Sequence, residues 1–283
     1  MGKYNIAGIN LDFTYSFNDY FPGKIEKYQI NNNIKCDYKL TSTVTDVIPD
    51  IIHDNYFERK NKRIYDFGDS ETVAVYDKNK NIIIKISYDK NYNDINIVFN
   101  ECLKEKLSEY EYIITGLYFF DIALKNNLLP IHASAIKFND EGILFSAPSG
   151  IGKSTHANLW KQAYTDVVVI NDDKPLIKNI DGKLYVFGSP WSGKSILNEN
   201  IAVRLKSIVF LKQNKENYIE EITDKEKLTL LFQNTYRPIH KQTTDKIIDE
   251  IDFIIKHIPI YVYHCNKNIE AAINLHNKLY KGE

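Results

Sequence analysis

Residues 141–154 read EGILFSAPSGIGKS, and residues 188–195 read GSPWSGKS. Both end in Gly-Lys-Ser, the close of the phosphate-loop pattern G-x-x-x-x-G-K-[ST]. The second stretch matches that pattern at every position, whereas the first carries Ala147 in place of its first glycine. Context separates the two. A phosphate loop must follow a strand and open a helix, because only there do successive backbone N–H groups and the helix N-terminus converge on phosphate oxygens. ILFS at 143–146 reads as a strand, and THANLWKQAY at 155–164 holds no Pro or Gly and can form a helix. ILNENIAV, which follows the second stretch, lacks helical apolar spacing and soon becomes strand. The first loop is therefore the expected nucleotide site. Ser149, Gly150, Ile151, Gly152, Lys153, Ser154 and Thr155 would surround the phosphates of ATP, with Lys153 as the phosphate-binding lysine. Gly150 and Gly152 remain for close backbone approach, and Ala147 at the strand end needs no unusual φ.

If Mg²⁺ is held beside those phosphates, a carboxylate should stand at the end of a neighbouring apolar strand. VVVINDD at 167–173 has that form, with Asp172 and Asp173 closing the run. Two adjacent acids can divide labour. One can help hold the metal with the Ser154 hydroxyl, and the other can orient or deprotonate an acceptor hydroxyl. Side chains alternate along a strand, so both acids reach one site only if the strand ends there, and Lys174-Pro175 is consistent with such an ending.

The surrounding pattern is mixed. Residues 3–14 alternate in part as a half-buried strand does, and 62–99 supply several β-branched and aromatic runs separated by Asp/Asn turns. The first hundred residues are thus expected to be β-rich. Residues 101–126 show helical apolar spacing from Leu103 to Leu124, and the boundary is placed just before this helix, giving units of 1–100 and 101–283. Beyond it, strands are expected at 129–138, 142–148, 166–172, 201–213 and 259–265, with a hairpin turning at Asp181-Gly182. Helices are expected at 155–164, 225–236, 243–258 and 268–282. The class is α/β.

HASAIKFNDEGILFSAPSGIGKSTHANLW at 132–160, with VINDDKPL at 169–176, resembles the catalytic domain of HPr serine kinase/phosphorylase and its kinase relatives. Those enzymes share a phosphate-loop fold with phosphoenolpyruvate carboxykinases. The resemblance covers roughly residues 130–200. It implies a phosphoenolpyruvate carboxykinase/HPr kinase-like P-loop domain, preceded here by the smaller β-rich domain read from the strand pattern, which does not resemble the regulatory domain of those enzymes. It also implies His132 near the phosphates, Asp172 as catalytic acid/base and Asp173 in the metal site.

Other residues fall around this site. PWSGKS reads as an active-site loop that turns Lys194 to the γ-phosphate or the acceptor, since Trp191 on a loop must be packed or binding. Arg237, before Pro238, can neutralise charge on a transferring phosphate. His156 in the first helical turn is expected at the surface. Two function classes follow. One is an ATP- and Mg²⁺-dependent kinase acting on a hydroxyl of a protein, a peptide or a small molecule. The other is a nucleotide-gated binding module or slow ATPase. The pairing of Lys153–Ser154 with Asp172–Asp173 favours the kinase.

Composition limits the remaining classes. A net charge of −1 gives no ground for a nucleic-acid partner, and none is expected. The three cysteines, Cys36, Cys102 and Cys265, form neither a disulfide framework nor a zinc spacing. No run approaches the ~18 apolar residues of a membrane span, and MGKYNIAG lacks an apolar signal core and carries Ile6 where myristoylation needs Ser or Thr. No membrane partner is expected, the expected compartment is the cytoplasm, and self-association is left open.

Overall fold

The computed structural model describes residues 2–238 and 241–282, the side chains of 241–243 excepted. Two compact units divide the chain, Met1–Ile122 and Ala123–Glu283.

The first unit is built on one sheet. Its strands are β1 (Gly2–Ile6), β2 (Ile9–Thr14), β3 (Tyr38–Thr45), β4 (Tyr56–Arg59), β5 (Lys62–Asp66), β6 (Ser70–Tyr76), β7 (Ile82–Asp89) and β8 (Asp94–Asn100). They lie in the order β1-β2-β3-β8-β7-β6-β5-β4. β3 runs parallel to both neighbours, and the other pairs are antiparallel. Strict alternation in IIIKISYD buries every second side chain of β7, as a sheet with one covered face requires. The run 3–14 is two strands rather than one, because Ala7 and Gly8 both take positive φ and reverse the chain.

The expected helix 101–126 begins late. Residues Glu101–Lys106 form a 3-10 stretch broken at Lys104 (φ 47°), and α1 proper is Leu107–Lys125. The division between units falls inside α1 at Ile122 and not before residue 101. The reason is packing. Tyr112 stacks on Tyr20 at 5.1 Å, and Tyr118 lies 5.3 Å from Tyr88. The buried carboxylate of Glu111 accepts the N–H groups of Ser16 (2.6 Å) and Phe17 (2.9 Å) and the hydroxyl of Ser42. These contacts fasten most of the helix to the first sheet.

In the second unit the elements are β9 (Leu128–Pro130), β10 (Ala133–Phe138), β11 (Glu141–Ser146), α2 (Lys153–Ala163), β12 (Val168–Asn171), β13 (Leu176–Ile180), β14 (Lys183–Phe187), β15 (Ala202–Gln213), β16 (Tyr218–Glu220), α3 (Asp224–Asn234), α4 (Lys241–His257), β17 (Ile260–Cys265) and α5 (Ile269–Tyr280). The sheet runs β12-β10-β11-β15-β14-β13-β9, with β17 beside β15 and β16 beside β17. β11, β15 and β17 are parallel, the usual companions of helices on both faces. Both faces are covered. Leu144, Ile208 and Phe210 pack with Leu231 of α3 and Ile247, Ile251 and Ile254 of α4. Ile143, Phe145, Val209 and Leu211 pack with Ala157, Leu159 and Trp160 of α2 and Ala271, Ala272 and Leu275 of α5. Near-continuous apolar runs in β11 and β15 are what burial on two sides demands. The architecture is mixed α/β with a β-rich first unit. No described helix is long and apolar enough to cross a membrane.

One expected strand, 129–138, is interrupted. Pro130 has no N–H to give, and Ile131 and His132 leave the strand path. The N–H of Ile131 donates to the Pro175 carbonyl at 3.1 Å and that of His132 to the Asn234 carbonyl at 2.7 Å. The break frees His132 from the ladder of β10.

Candidate functional site

Three adjacent strands bring the sequence-chosen residues to one edge of the second sheet. β10 lies between β12 and β11 and runs antiparallel to both. The register pairs Ala133 with Ser146 and Ala135 with Asn171. The start of β10, with His132, is thereby flanked by the ends of β11 and β12, where the 147–154 loop and the two acids begin.

From β11 the chain leaves into the loop and enters α2 at Lys153. Gly150 and Gly152 hold φ of 83° and 122°, values that an L side chain rarely adopts. The loop is tied from outside by Gln213, whose Nε2 donates to the Ile151 carbonyl at 2.9 Å. Lys153 is buried, and its Nζ donates to the Ala147 carbonyl at 3.0 Å across the mouth of the loop. Ser149, Gly150, Ser154 and Thr155 are exposed. Burial holds the Lys153 ammonium below its usual pKa, with Asp173 opposing that shift.

The end of β12 is set by Asn171, which is fully buried. Its Oδ1 accepts the N–H groups of Asp173 (2.8 Å) and Lys174 (2.7 Å) and so turns the chain. Its Nδ2 donates to the carbonyl (2.8 Å) and hydroxyl (3.2 Å) of Ser189, and the Ser189 hydroxyl donates to the Lys174 carbonyl at 2.8 Å. The strand thus ends where the Asp pair needs it to end. Asp173 Oδ1 sits 3.4 Å from His132 Nε2 and 3.4 Å from Lys174 Nζ. Asp172 has no hydrogen bond or ion pair among the described residues, yet it acts on the Lys153 charge. His132 is pushed down to about 4 by burial first, then by Lys174 and Lys153, while Asp173 pulls the other way. It is therefore neutral near pH 7, a hydrogen-bonding group and not a cation.

The second Gly-Lys-Ser stretch meets this cluster from the side. Gly193 holds a φ of 70°, which L side chains rarely adopt, and a Cβ on it would come 3.2 Å from the Cβ of Asp173, a tight contact, so the loop lies close against that acid. Trp191 and Ser192 are buried, and Ser192 and Ser195 exchange hydroxyl-to-carbonyl bonds of 2.8 and 3.2 Å. Lys194 itself is exposed. Arg237, also exposed, holds its guanidinium 5.9 Å from the Phe232 ring centroid. Among the described residues neither joins the ion pairs around Asp173.

His156 departs from expectation. It is 2% exposed, accepts the Trp160 Nε1–H at 3.3 Å and packs 4.7 Å from Phe145. Burial pushes it down to about 3. The spacing 153, 156, 157, 160 already traced the buried stripe of α2. Lys174 is the site residue that motif reading passed over. Its only signal was its place directly after the acids.

No protein-family model matches this chain, and neither does any curated protein. Solved structures do: the Hpr(Ser) kinase/phosphatase from Coxiella burnetii aligns over 45% of this chain and 97% of its own length, at 14% identity and a TM-score of 0.26. That likeness is too distant to assign a family.

Proposed function

We propose that Ala123–Glu283 is an ATP- and Mg²⁺-dependent phosphotransferase unit whose acceptor is a hydroxyl group. The observation that carries this reading is the meeting, at the ends of three adjacent strands, of a strand–loop–helix element with Lys153 at its mouth and an acid pair of which Asp173 faces His132. Ser149, Gly150, Ser154 and Thr155 are exposed around the N-terminus of α2, a position that suits phosphate oxygens. Lys153 would exchange the Ala147 carbonyl for a phosphate oxygen.

The donor set fits Mg²⁺. Among the described residues no group of three or more His, Cys, Asp or Glu forms a metal cage. Mg²⁺ on nucleotides is commonly held by one or two carboxylates and the phosphates themselves. Ser154 and Asp173 would hold it, and when bound it neutralises charge on the β- and γ-phosphates. Asp172 is assigned as the base because its carboxylate alone of the pair is outside the His132 and Lys174 contacts. The acceptor oxygen forms a bond to the γ-phosphorus, the bond to the bridging oxygen breaks, ADP departs with that electron pair, and the acceptor proton passes to Asp172. The neutral His132 holds Asp173 in place.

The test is paired. Calorimetry measures Mg²⁺-ATP affinity, and transfer from γ-labelled ATP is followed with cell extract as the source of acceptor. Asp172→Asn keeps size and polarity but cannot take the proton. It is expected to bind ATP nearly as the wild type does and to lose transfer by roughly 10²- to 10⁴-fold. Transfer that survives in Asp172→Asn overturns the base assignment. ATP binding without transfer in the wild type points to a nucleotide-gated module instead.

A further inference from the structure

Lys174 is held more firmly than an ordinary surface lysine. Its N–H is bound by Asn171 Oδ1 at 2.7 Å and its carbonyl by the Ser189 hydroxyl at 2.8 Å, and its side chain is 28% exposed. The backbone is thus pinned on both sides by the buried Asn171–Ser189 pair. From that anchor its Nζ reaches to 3.4 Å from Asp173 Oδ1, the same oxygen that faces His132. The Lys174 charge also reaches Lys153, whose ammonium it disfavours. One buried and one half-buried cation therefore belong to this cluster, and the carboxylate that Lys174 approaches is already shared with a histidine. An anion entering the cluster would be attracted by both charges. Clusters of this kind gather where a ligand is bound.

We propose that Lys174 is the second phosphate-contacting cation of the site and that it reaches the terminal phosphoryl group of the nucleotide. The inference rests on the reading of this unit as an ATP-binding phosphotransferase. Lys153 belongs to the loop, where the backbone cradles the nucleotide's phosphates. Lys174 belongs to the strand end that carries Asp172 and Asp173, the side on which an acceptor must meet the last phosphorus. Neither Lys194 nor Arg237 is placed in this way, since both are exposed and outside the cluster's ion pairs.

The contact predicts a preference that can be read as a ratio. Affinities of the full chain for Mg²⁺-ATP and Mg²⁺-ADP are measured by calorimetry in the wild type, Lys174→Met and Lys174→Arg. A hydrogen bond to a charged group contributes about 1.5–3 kcal/mol, so the ATP-over-ADP ratio should fall about 10- to 100-fold in Lys174→Met. Lys174→Arg, which keeps the charge, should restore most of it. Because both affinities come from the same preparation, a misfolded fraction lowers the number of sites and not the ratio. An unchanged ratio in Lys174→Met, or an equal loss for ATP and ADP, overturns the assignment of Lys174 alone. A folded wild type that binds neither nucleotide overturns the phosphotransferase reading and this inference with it.

Discussion

The loops 147–154 and 188–195 end in the same three residues and do different things. The first leaves β11, carries glycines at φ 83° and 122°, and runs into α2 with a buried lysine at its mouth. The second follows β14, opens no helix, tucks Trp191 and Ser192 into the interior and leaves Lys194 in solvent. Its glycine serves close packing against Asp173, and its Ser189 closes the hydrogen-bond ring that holds Asn171 and Lys174. A pattern match therefore weighs less than what stands before and after it. The loop with the imperfect motif joins a strand to a helix, and the loop with the perfect one is a wall and a brace.

Four measurements can break or sharpen that contrast. The largest effect is expected at the brace. Trp191 is 2% exposed, and Trp191→Ala should lower unfolding free energy by about 3–5 kcal/mol in urea titration. A loss below about 1 kcal/mol would show that the second loop is not part of the core.

Next come the two lysines. Lys153→Ala should weaken Mg²⁺-ATP binding by roughly 10- to 100-fold, and Lys194→Ala should leave it within about threefold. The reverse ranking would hand the nucleotide to the second loop.

The third measurement concerns the platform behind the first loop. His156 is neutral in the folded chain, held down at about 3, whereas an unfolded histidine titrates near 6.5. As pH falls below 6.5 the unfolded state takes up a proton that the folded state refuses, so stability present above that pH is lost toward 3. Between pH 6.5 and 5 the loss is about 2 kcal/mol from this group. His132, held at about 4, acts in the same direction and more weakly because its side chain is 29% exposed to screening solvent. Thermal melts of wild type and His156→Met over this range should show a shallower decline in the variant. Parallel declines would mean that His156 takes up its proton while folded.

The smallest effect is at the joint between the two loops. Ser189→Ala removes the donor to the Lys174 carbonyl and should cost about 1 kcal/mol in the same urea titration. No change would mean that Asn171 holds the turn unaided.

Much of the second unit was legible because its signals are local. The apolar runs of β11, β12, β15 and β17, the spacing of α2 and α5, and the Asp181-Gly182 hairpin each depend on a few consecutive residues, and each is present near its expected bounds. The first unit was read less well. β3 and β4 went unnoticed: β4 is exposed along its whole length, and β3 carries polar residues at half-buried positions, so neither shows a clean alternation. The boundary at 100/101 fell short of Ile122 because helical periodicity tells which face of α1 is apolar and not which sheet that face covers.

By itself the sequence determined that residues 143–163 form a strand, a glycine loop and a helix, and that an apolar strand ends in an acid pair. Backbone sterics and side-chain periodicity act over a few residues, so these features needed no partner to be read. Only the tertiary structure decided that His132 leaves its strand to meet Asp173, that Lys174 joins Lys153 beside that acid, that His156 is buried and that Gly193 lies against the cluster. Each of these depends on strand order and on groups far apart in the chain. Coulomb and desolvation effects follow distance in space, which no local pattern encodes.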